Sequence, residues 1–293
     1  INQDNDYYHF LAGILYKDAG DFKQSESSFQ KSINIKSNFS KAHDKLGELY
    51  IANGYLENAK LAINKALKIK PKLANSYKNL GNIEIAYGNL IKAKELTQRA
   101  IQLNPNFAKA YNNLGVILKE IGDIDGAVSA NKKAIKHNPN LADSYSNLGV
   151  ILHEMCELKK ATPLFRKAIE LRSDFGNAHA NLAYILLKQK NFEEGWIEYQ
   201  WRWDSKSNGS IGKKLKTSKP EWDPSKSGRI LIWGEQGLGD QLLFLNLIPD
   251  LIDKVDRLIL KIDKRLFPIL RRSLDKEIVY IDQEHSINES EYD

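Results

Sequence analysis

Along its first roughly 200 residues the chain places apolar side chains three and four positions apart, the spacing of amphipathic helices. Short polar stretches interrupt the pattern, and then it begins again. Residues 110–140, "AYNNLGVILKEIGDIDGAVSANKKAIKHNPN", lie over residues 76–106, "SYKNLGNIEIAYGNLIKAKELTQRAIQLNPN". The step is 34 residues, and it carries Gly13, Gly47, Gly81, Gly115 and Gly149 onto one position, with Ala183 at the sixth place. Ala12, Leu46, Leu80, Leu114, Leu148 and Leu182 stand just before them. Alanines recur at Ala59, Ala93, Ala127 and Ala161, and again at Ala66, Ala100, Ala134 and Ala168, with prolines at Pro71, Pro105 and Pro139. A fixed period of this length marks a repeat architecture.

Each unit reads as two amphipathic helices joined by a short turn, closed by a proline that stops the second helix. Gly or Ala at a helix crossing lets backbones approach, while large residues such as Tyr111, Leu114 and Leu118 fill the space beside them. One hairpin cannot bury its apolar face alone, but stacked hairpins share a continuous core. The arrangement resembles the tetratricopeptide repeat (TPR). The family's pattern appears as Tyr111, Leu114-Gly115, Leu118, Ala127, Asn131, Ala134 and Pro139. Asn131, Thr97 and Ile63 stand where the family has an aromatic. The expectation is a mainly α protein: a TPR superhelix of about six units over residues 1–203. The first unit, with Ser25, Ser32 and Ser37 in place of Ala, Ala and Pro, reads as a solvent-facing end. The sixth ends in "FEEGWIEYQWRWD", where Gly195 replaces the usual Ala and Trp196, Tyr199, Trp201 and Trp203 follow. These aromatics read as a cap that docks the solenoid to the next domain, with stacking on sugars or bases as the alternative.

After a polar linker at 204–228, in which "KPEWDP" restarts the compact fold, the period changes to that of strands. The pattern predicts strands at 229–233, 257–262 and 277–281 with helices at 240–253 and 264–273. That is βαβαβ, the opening of a doubly wound, Rossmann-like sheet at 229–293.

Two places carry candidate chemistry. Asn79, Asn113, Asn147 and Asn181 recur with the full period on the first helix of each unit, the helix that lines the concave face of such a stack. Asn offers a donor and an acceptor, so a ladder of them suits the backbone of an extended peptide in a groove. Bonding to a neighbouring unit is the alternative, and Lys45 breaks the ladder at its N-terminal end. Similar ladders line the groove of the O-linked N-acetylglucosamine transferases.

The second place is "LIWGEQGLGDQLLF" at 231–244, at the carboxyl end of the first strand. Its spacing matches neither the G-x₄-G-K-[ST] phosphate loop nor the G-x-G-x-x-G dinucleotide turn. With the preceding "EGWIEYQWRW" and a helix ending in Pro249, it resembles bacterial proteins that join TPRs to a GT-B glycosyltransferase domain related to heptosyltransferases. That resemblance implies an acceptor loop at Glu235, Gln236, Gly237 and Gly239, with Asp240 as candidate base for the acceptor hydroxyl. Plain N-capping is the alternative for Asp240.

A nucleotide sugar is the cofactor expected of a complete family member. With 65 residues after Gly228, this chain is expected to hold only the first part of such a domain and to be inactive alone. The uncovered strand edges invite a homodimer. Two functions follow: a TPR scaffold presenting a polypeptide or glycan acceptor to a glycosyltransferase domain, or a non-catalytic adaptor for protein–protein interaction.

Composition narrows the setting. The 293 residues are 42% hydrophobic and 27% charged, and no apolar run approaches the roughly 20 residues of a membrane span. Net charge is +6, and the densest basic cluster, "KKLKTSK" at 213–219, reads as a solvated linker or as a contact for phosphate or an acidic partner. No nucleic-acid signature accompanies it. The histidines lack metal spacing, and Asp123-Ile124-Asp125 reads as a turn in preference to a metal-binding pair. One cysteine, Cys156, excludes an internal disulfide. The chain opens at Ile1 on a polar stretch without an initiator Met, so an upstream segment is expected to be missing. A cytoplasmic, bacterial setting is expected.

Overall fold

The structure is a computed structural model that describes residues 5–203, 215–235, 237–274 and 277–293. It divides into two compact units, Ile1–Tyr199 and Gln200–Asp293. The first is a row of hairpins. Helices α1 (Asp6–Asp18) and α2 (Phe22–Ile35) form the first, and α3 (Ser40–Ala52) and α4 (Leu56–Ile69) the second. Then come α5 (Ala74–Ala86) with α6 (Leu90–Leu103), and α7 (Ala108–Glu120) with α8 (Ile124–His137). The row closes with α9 (Ala142–Glu154) and α10 (Leu158–Leu171), then α11 (Gly176–Lys188) and a shorter α12 (Phe192–Tyr199).

The periodic glycines do two separate jobs. At the helix crossing a Cβ on Gly47 would lie 2.4 Å from Ile63, and one on Gly115 would lie 2.3 Å from Asn131. No side chain fits there, so the residue sixteen positions later packs straight onto backbone. In the hairpin turn the chain must pass through the left-handed region. Gly20, Gly54, Gly88 and Gly122 do so with φ of 78°, 79°, 75° and 84°. The last two turns place Cys156 and Lys190 there, at φ 61° and 63°, against the steric preference of L-residues.

The serines of the first unit are as buried as the alanines they replace. Ser25 and Ser32 donate to the carbonyls of Gly13 at 2.7 Å and Asp6 at 2.8 Å. Asp123 is a helix cap, its carboxylate accepting from the Gly126 amide at 2.9 Å, as the turn reading of that pair requires.

In the second unit β1 (Arg229–Trp233), β2 (Arg257–Ile262) and β3 (Ile278–Asp282) form a parallel sheet in the order β1-β2-β3. Ile230 stands opposite Leu258 and Leu258 opposite Ile278. Leu258, Leu260, Ile262 and Ile278 share one core with Leu245, Ile248, Leu266 and Leu270 of the connecting segments. The single helix expected at 240–253 is instead α13 (Leu238–Phe244), a 3₁₀ turn (Leu245–Leu247) and α14 (Ile248–Ile252). Pro249 has no N–H for an i−4 carbonyl and sits in the first turn of a new helix. The helix expected at 264–273 likewise starts as a 3₁₀ turn (Lys264–Leu266) before α15 (Phe267–Ser273).

Three strands with connections packed on one shared face do not establish the doubly wound, Rossmann-like domain that the pattern predicts. The boundary between units also falls before Gln200, where the sequence pattern put it after residue 203. The linker expected at 204–228 is described only from 215, and there it is tied down. Ser218 donates its amide to Glu289 at 2.8 Å, and Tyr292 donates to Thr217 at 2.9 Å.

Candidate functional site: the inner face of the helical array

The odd-numbered helices touch one another in succession, while successive even-numbered ones meet mainly through them. The odd helices therefore lie on the inside of the stack, the side that forms a concave surface. Their polar side chains bond from one hairpin to the next, in two different ways.

Between α3 and α5 the joint is built on carboxylates. Asp44 is 7% exposed and accepts from Asn75 Nδ2 and from the Ser76 hydroxyl, both at 2.6 Å. Glu48 accepts from Asn75 Nδ2 and from Lys45 Nζ, each at 2.6 Å, and Lys17 lies 3.6 Å away. Burial pushes the Glu48 carboxyl up, but the bonds from Lys45 and Asn75 outweigh it and hold the pKa at about 2. Burial lowers the pKa of neighbouring Lys78, with the Glu48 charge working the other way. Asn79, the first member of the ladder, is 1% exposed, and its Nδ2 lies 3.5 Å from Glu48. It belongs to this joint and is closed to a partner, a correction to its expected place in the groove. Its register put it on the inner helix, but the acid one hairpin earlier draws its amide inward.

Further along, the joints are built from amides. Asn113 Nδ2 donates to Asn82 Oδ1 across α5 and α7. Asn147 Nδ2 and the Ser144 hydroxyl both donate to Asn112 Oδ1, at 3.0 and 2.9 Å, across α7 and α9. Asn181 Nδ2 turns back to the Asn177 carbonyl at 2.8 Å. The ladder thus spends one amide donor of each of these residues inside the array. Asn113, Asn147 and Asn181 remain half-buried, and no described group donates to their Oδ1 atoms. What the inner face offers is a run of carbonyl acceptors. Asn75, Asn112, Asp44 and Glu48 were not singled out from the sequence, because none recurs at the 34-residue step. The available signal was helical: Asn75 lies one turn before Asn79, and Asn112 adjoins Asn113.

In the second unit the Gly-rich loop lies at the carboxyl ends of the strands. Glu235 Oε1 accepts from Arg202 Nε and Nη2, at 3.1 and 2.7 Å, and that guanidinium stacks 4.1 Å over the Trp203 ring. Gln236 lies outside the described residues. Gly237 takes the cap position of α13, and Gly239 is exposed. Asp240 sits in the first turn, exposed, and makes no capping bond, so N-capping does not account for it. Gln241, passed over in the sequence, is 5% exposed. It accepts from the Asp263 amide at 2.9 Å, donates to Gln283 at 3.0 Å and packs on Gly234, joining the ends of all three strands. A polar residue on the buried side of an otherwise apolar helix was its signal.

Sequence models of the tetratricopeptide repeat match residues 6–39, 40–73, 108–141 and 141–173. Among curated proteins, FlbA of Caulobacter vibrioides is 28% identical over 86 residues, which are 28% of this chain and 14% of FlbA. Among solved structures, one in the APC/C hetero-tetramer Cut9-Hcn1 superposes with a TM-score of 0.66 at 18% identity. It covers 71% of this chain and 42% of that one. The thermophilic TPR protein TTC0263 of Thermus thermophilus gives a TM-score of 0.56 at 18% identity, over 62% of this chain and 99% of its own. PilF of Pseudomonas aeruginosa gives 0.54 at 18%, over 67% and 95%. At these identities the likeness is one of fold, and the chain spans less than half of FlbA and of the Cut9-Hcn1 chain. Four of the hairpins thus match the tetratricopeptide repeat, and the array has the superhelical fold of such repeats.

Proposed function

We propose that this tetratricopeptide-repeat chain is a protein-interaction scaffold that holds an extended polypeptide along α7, α9 and α11. The observation that carries the reading is the free Oδ1 of Asn113, Asn147 and Asn181, one per hairpin. Neighbouring helix axes lie about 8–10 Å apart, which two or three residues of extended chain span at about 3.3 Å each. Each acceptor then meets a backbone N–H of the bound chain, whatever its side chains. Replacing Asn113 and Asn147 together by Ala removes two such bonds, worth about 1 kcal/mol each. Titration with a fluorescent extended peptide is expected to show affinity falling about tenfold or more. Unchanged affinity would remove the ladder from the binding surface.

A finer reading joins this scaffold to chemistry. The array would present a polypeptide or glycan acceptor to a GT-B glycosyltransferase domain of which residues 229–293 are the opening part. Support comes from the loop at the carboxyl ends of parallel strands, where ligands enter such sheets, and from Asp240, exposed and outside the cap. In that reading Asp240 takes the proton of the acceptor hydroxyl, and the nucleotide sugar binds elsewhere in a longer protein. Asp240→Asn in the longest natural form would then abolish transfer without changing peptide affinity. A non-catalytic adaptor is the alternative, and it predicts no sugar turnover in any form of the chain.

A further inference from the structure

Two histidines at one repeat position are bonded differently, and at one of them a pocket stands open. Stepping 34 residues from His43 reaches Tyr77, Tyr111, Tyr145 and His179. His43 and His179 are both buried. Each ring turns Nε2 to the loop before its helix, to the Ser37 carbonyl at 3.0 Å and to the Ser173 carbonyl at 2.9 Å. A carbonyl only accepts, so both Nε2 atoms carry hydrogen and the remaining chemistry lies at Nδ1. His179 Nδ1 meets the Glu198 carboxylate of α12. The matching residue of the second hairpin is Ala62 of α4, and His43 Nδ1 has no partner among the described residues.

In place of that carboxylate the second hairpin has a pocket of about 300 Å³ between α2, α3 and α4. Leu46, Leu61 and Ala62 give it an apolar lining, and His43, Tyr50 and Lys65 are its titratable groups. None of the residues that line it is an acid. Lys65 is exposed and forms no ion pair among the described residues. Glu26 of α2 is engaged by the Tyr50 hydroxyl, which it accepts at 2.6 Å. Leu61 is 66% exposed, where four other hairpins carry Ser27, Glu95, Ser129 and Pro163.

We propose that this pocket binds the carboxylate of a glutamate on a partner polypeptide, in the place that Glu198 fills at the sixth hairpin. The carboxylate pairs with His43 Nδ1, with Lys65 as a second positive group, and apolar neighbours in the bound segment cover Leu61. Because Nε2 already holds its own hydrogen, the contact needs one more proton, shared between Nδ1 and the carboxylate. Binding near neutral pH therefore takes up a proton. The pocket lies inside the array and uses neither α7 nor α9, so it is independent of the groove proposed above.

The probe is an acetylated, amidated pentapeptide, Leu-Ala-Glu-Ala-Leu, compared with its Gln counterpart and with acetate, and read by NMR on the histidine rings of the intact chain. The Glu peptide is expected to shift the His43 resonances saturably, and the Gln peptide and acetate to bind about tenfold more weakly. Affinity for the Glu peptide should fall about tenfold from pH 6 to pH 8. Among the groups facing the pocket, Tyr50, Lys65 and Glu26 included, imidazole is the one whose charge ordinarily changes there. His43→Tyr, which installs the side chain of three other hairpins, should bind the Glu and Gln peptides alike. Ala62→Glu supplies the carboxylate from within. It should keep its helical signal, hold the His43 proton to higher pH and lose the peptide. Replacing Asn113 and Asn147 by Ala should leave this binding unchanged, which separates it from the groove. Equal binding of the Glu and Gln peptides by the wild type would overturn the proposal, and so would an Ala62→Glu chain that binds as the wild type does. Acetate binding as tightly as the Glu peptide would also overturn it, since the site would then hold an anion and not a polypeptide.

Discussion

The two ends of the inner face solve one problem with different chemistry. Between α3 and α5 the hairpins are joined by carboxylates, buried Asp44 and half-buried Glu48, which absorb the amides of Asn75 and Asn79. Across α5–α7 and α7–α9 amide bonds amide, and each of these two joints leaves a carbonyl oxygen unspent. A carboxylate accepts only, so it consumes donors and fixes the joint. An Asn that gives one N–H to the joint still has its carbonyl oxygen to offer a partner. The same residue at the same repeat position is therefore a fastener in one half and a candidate contact in the other.

The largest test of that contrast is Asp44→Ala. It leaves the buried Ser76 hydroxyl without a partner and Asn75 with Glu48 alone, and about 2 kcal/mol of stability should be lost, seen as a lower urea midpoint. Peptide affinity should stay within twofold if the binding half is the other one.

Acid should separate the halves next. Glu84 of α5 is 1% exposed, bonded by Lys92 at 2.8 Å with Lys60 at 3.4 Å. The Lys92 bond, opposed by burial and helped by Asn89, holds its pKa at about 2, as with Glu48. Both lie below the ordinary 4.5. Their contribution is thus full above pH 4.5 and is lost as pH falls toward 2. Hydrogen exchange at about pH 3 should show α3–α6 opening before α7–α10. The reverse order would sink the distinction.

The smallest effect concerns the core. Asn131 fills the crossing at Gly115 with its Oδ1 buried and unpartnered, and Thr97 does the same at Gly81. Asn131→Leu should raise stability by about 1 kcal/mol without touching the groove, read from the same urea midpoint. A loss would show that the amide's bond to the Ala127 carbonyl at 2.9 Å matters more than its orphaned oxygen.

How much of this was legible beforehand follows from what repeats. Helices, crossings and turns recur at a fixed step, so the 34-residue comparison finds them, down to the left-handed turn now held by Cys156. Asp44 and Glu48 occur once, and no period points to them. The strands at 229–233 and 257–262 match their predicted limits because β-branched and apolar runs end at charge or glycine. The break at Pro249 was visible as a proline, but the apolar run on both sides argued for one helix. Asp240 was placed correctly in a first turn, whereas its freedom from capping depended on Gly237 taking that position, which only backbone geometry reveals.

The central claim is that Asn Oδ1 atoms accept from the backbone of a bound polypeptide. Exchanging single peptide N–H groups for ester oxygens, against wild type and Asn147→Ala, forms a double-mutant cycle that addresses this bond alone. One ester position is expected to couple to Asn147 by about 1 kcal/mol, its effect vanishing in the Ala variant. If every ester position weakens binding equally in both proteins, the ladder does not hold the chain.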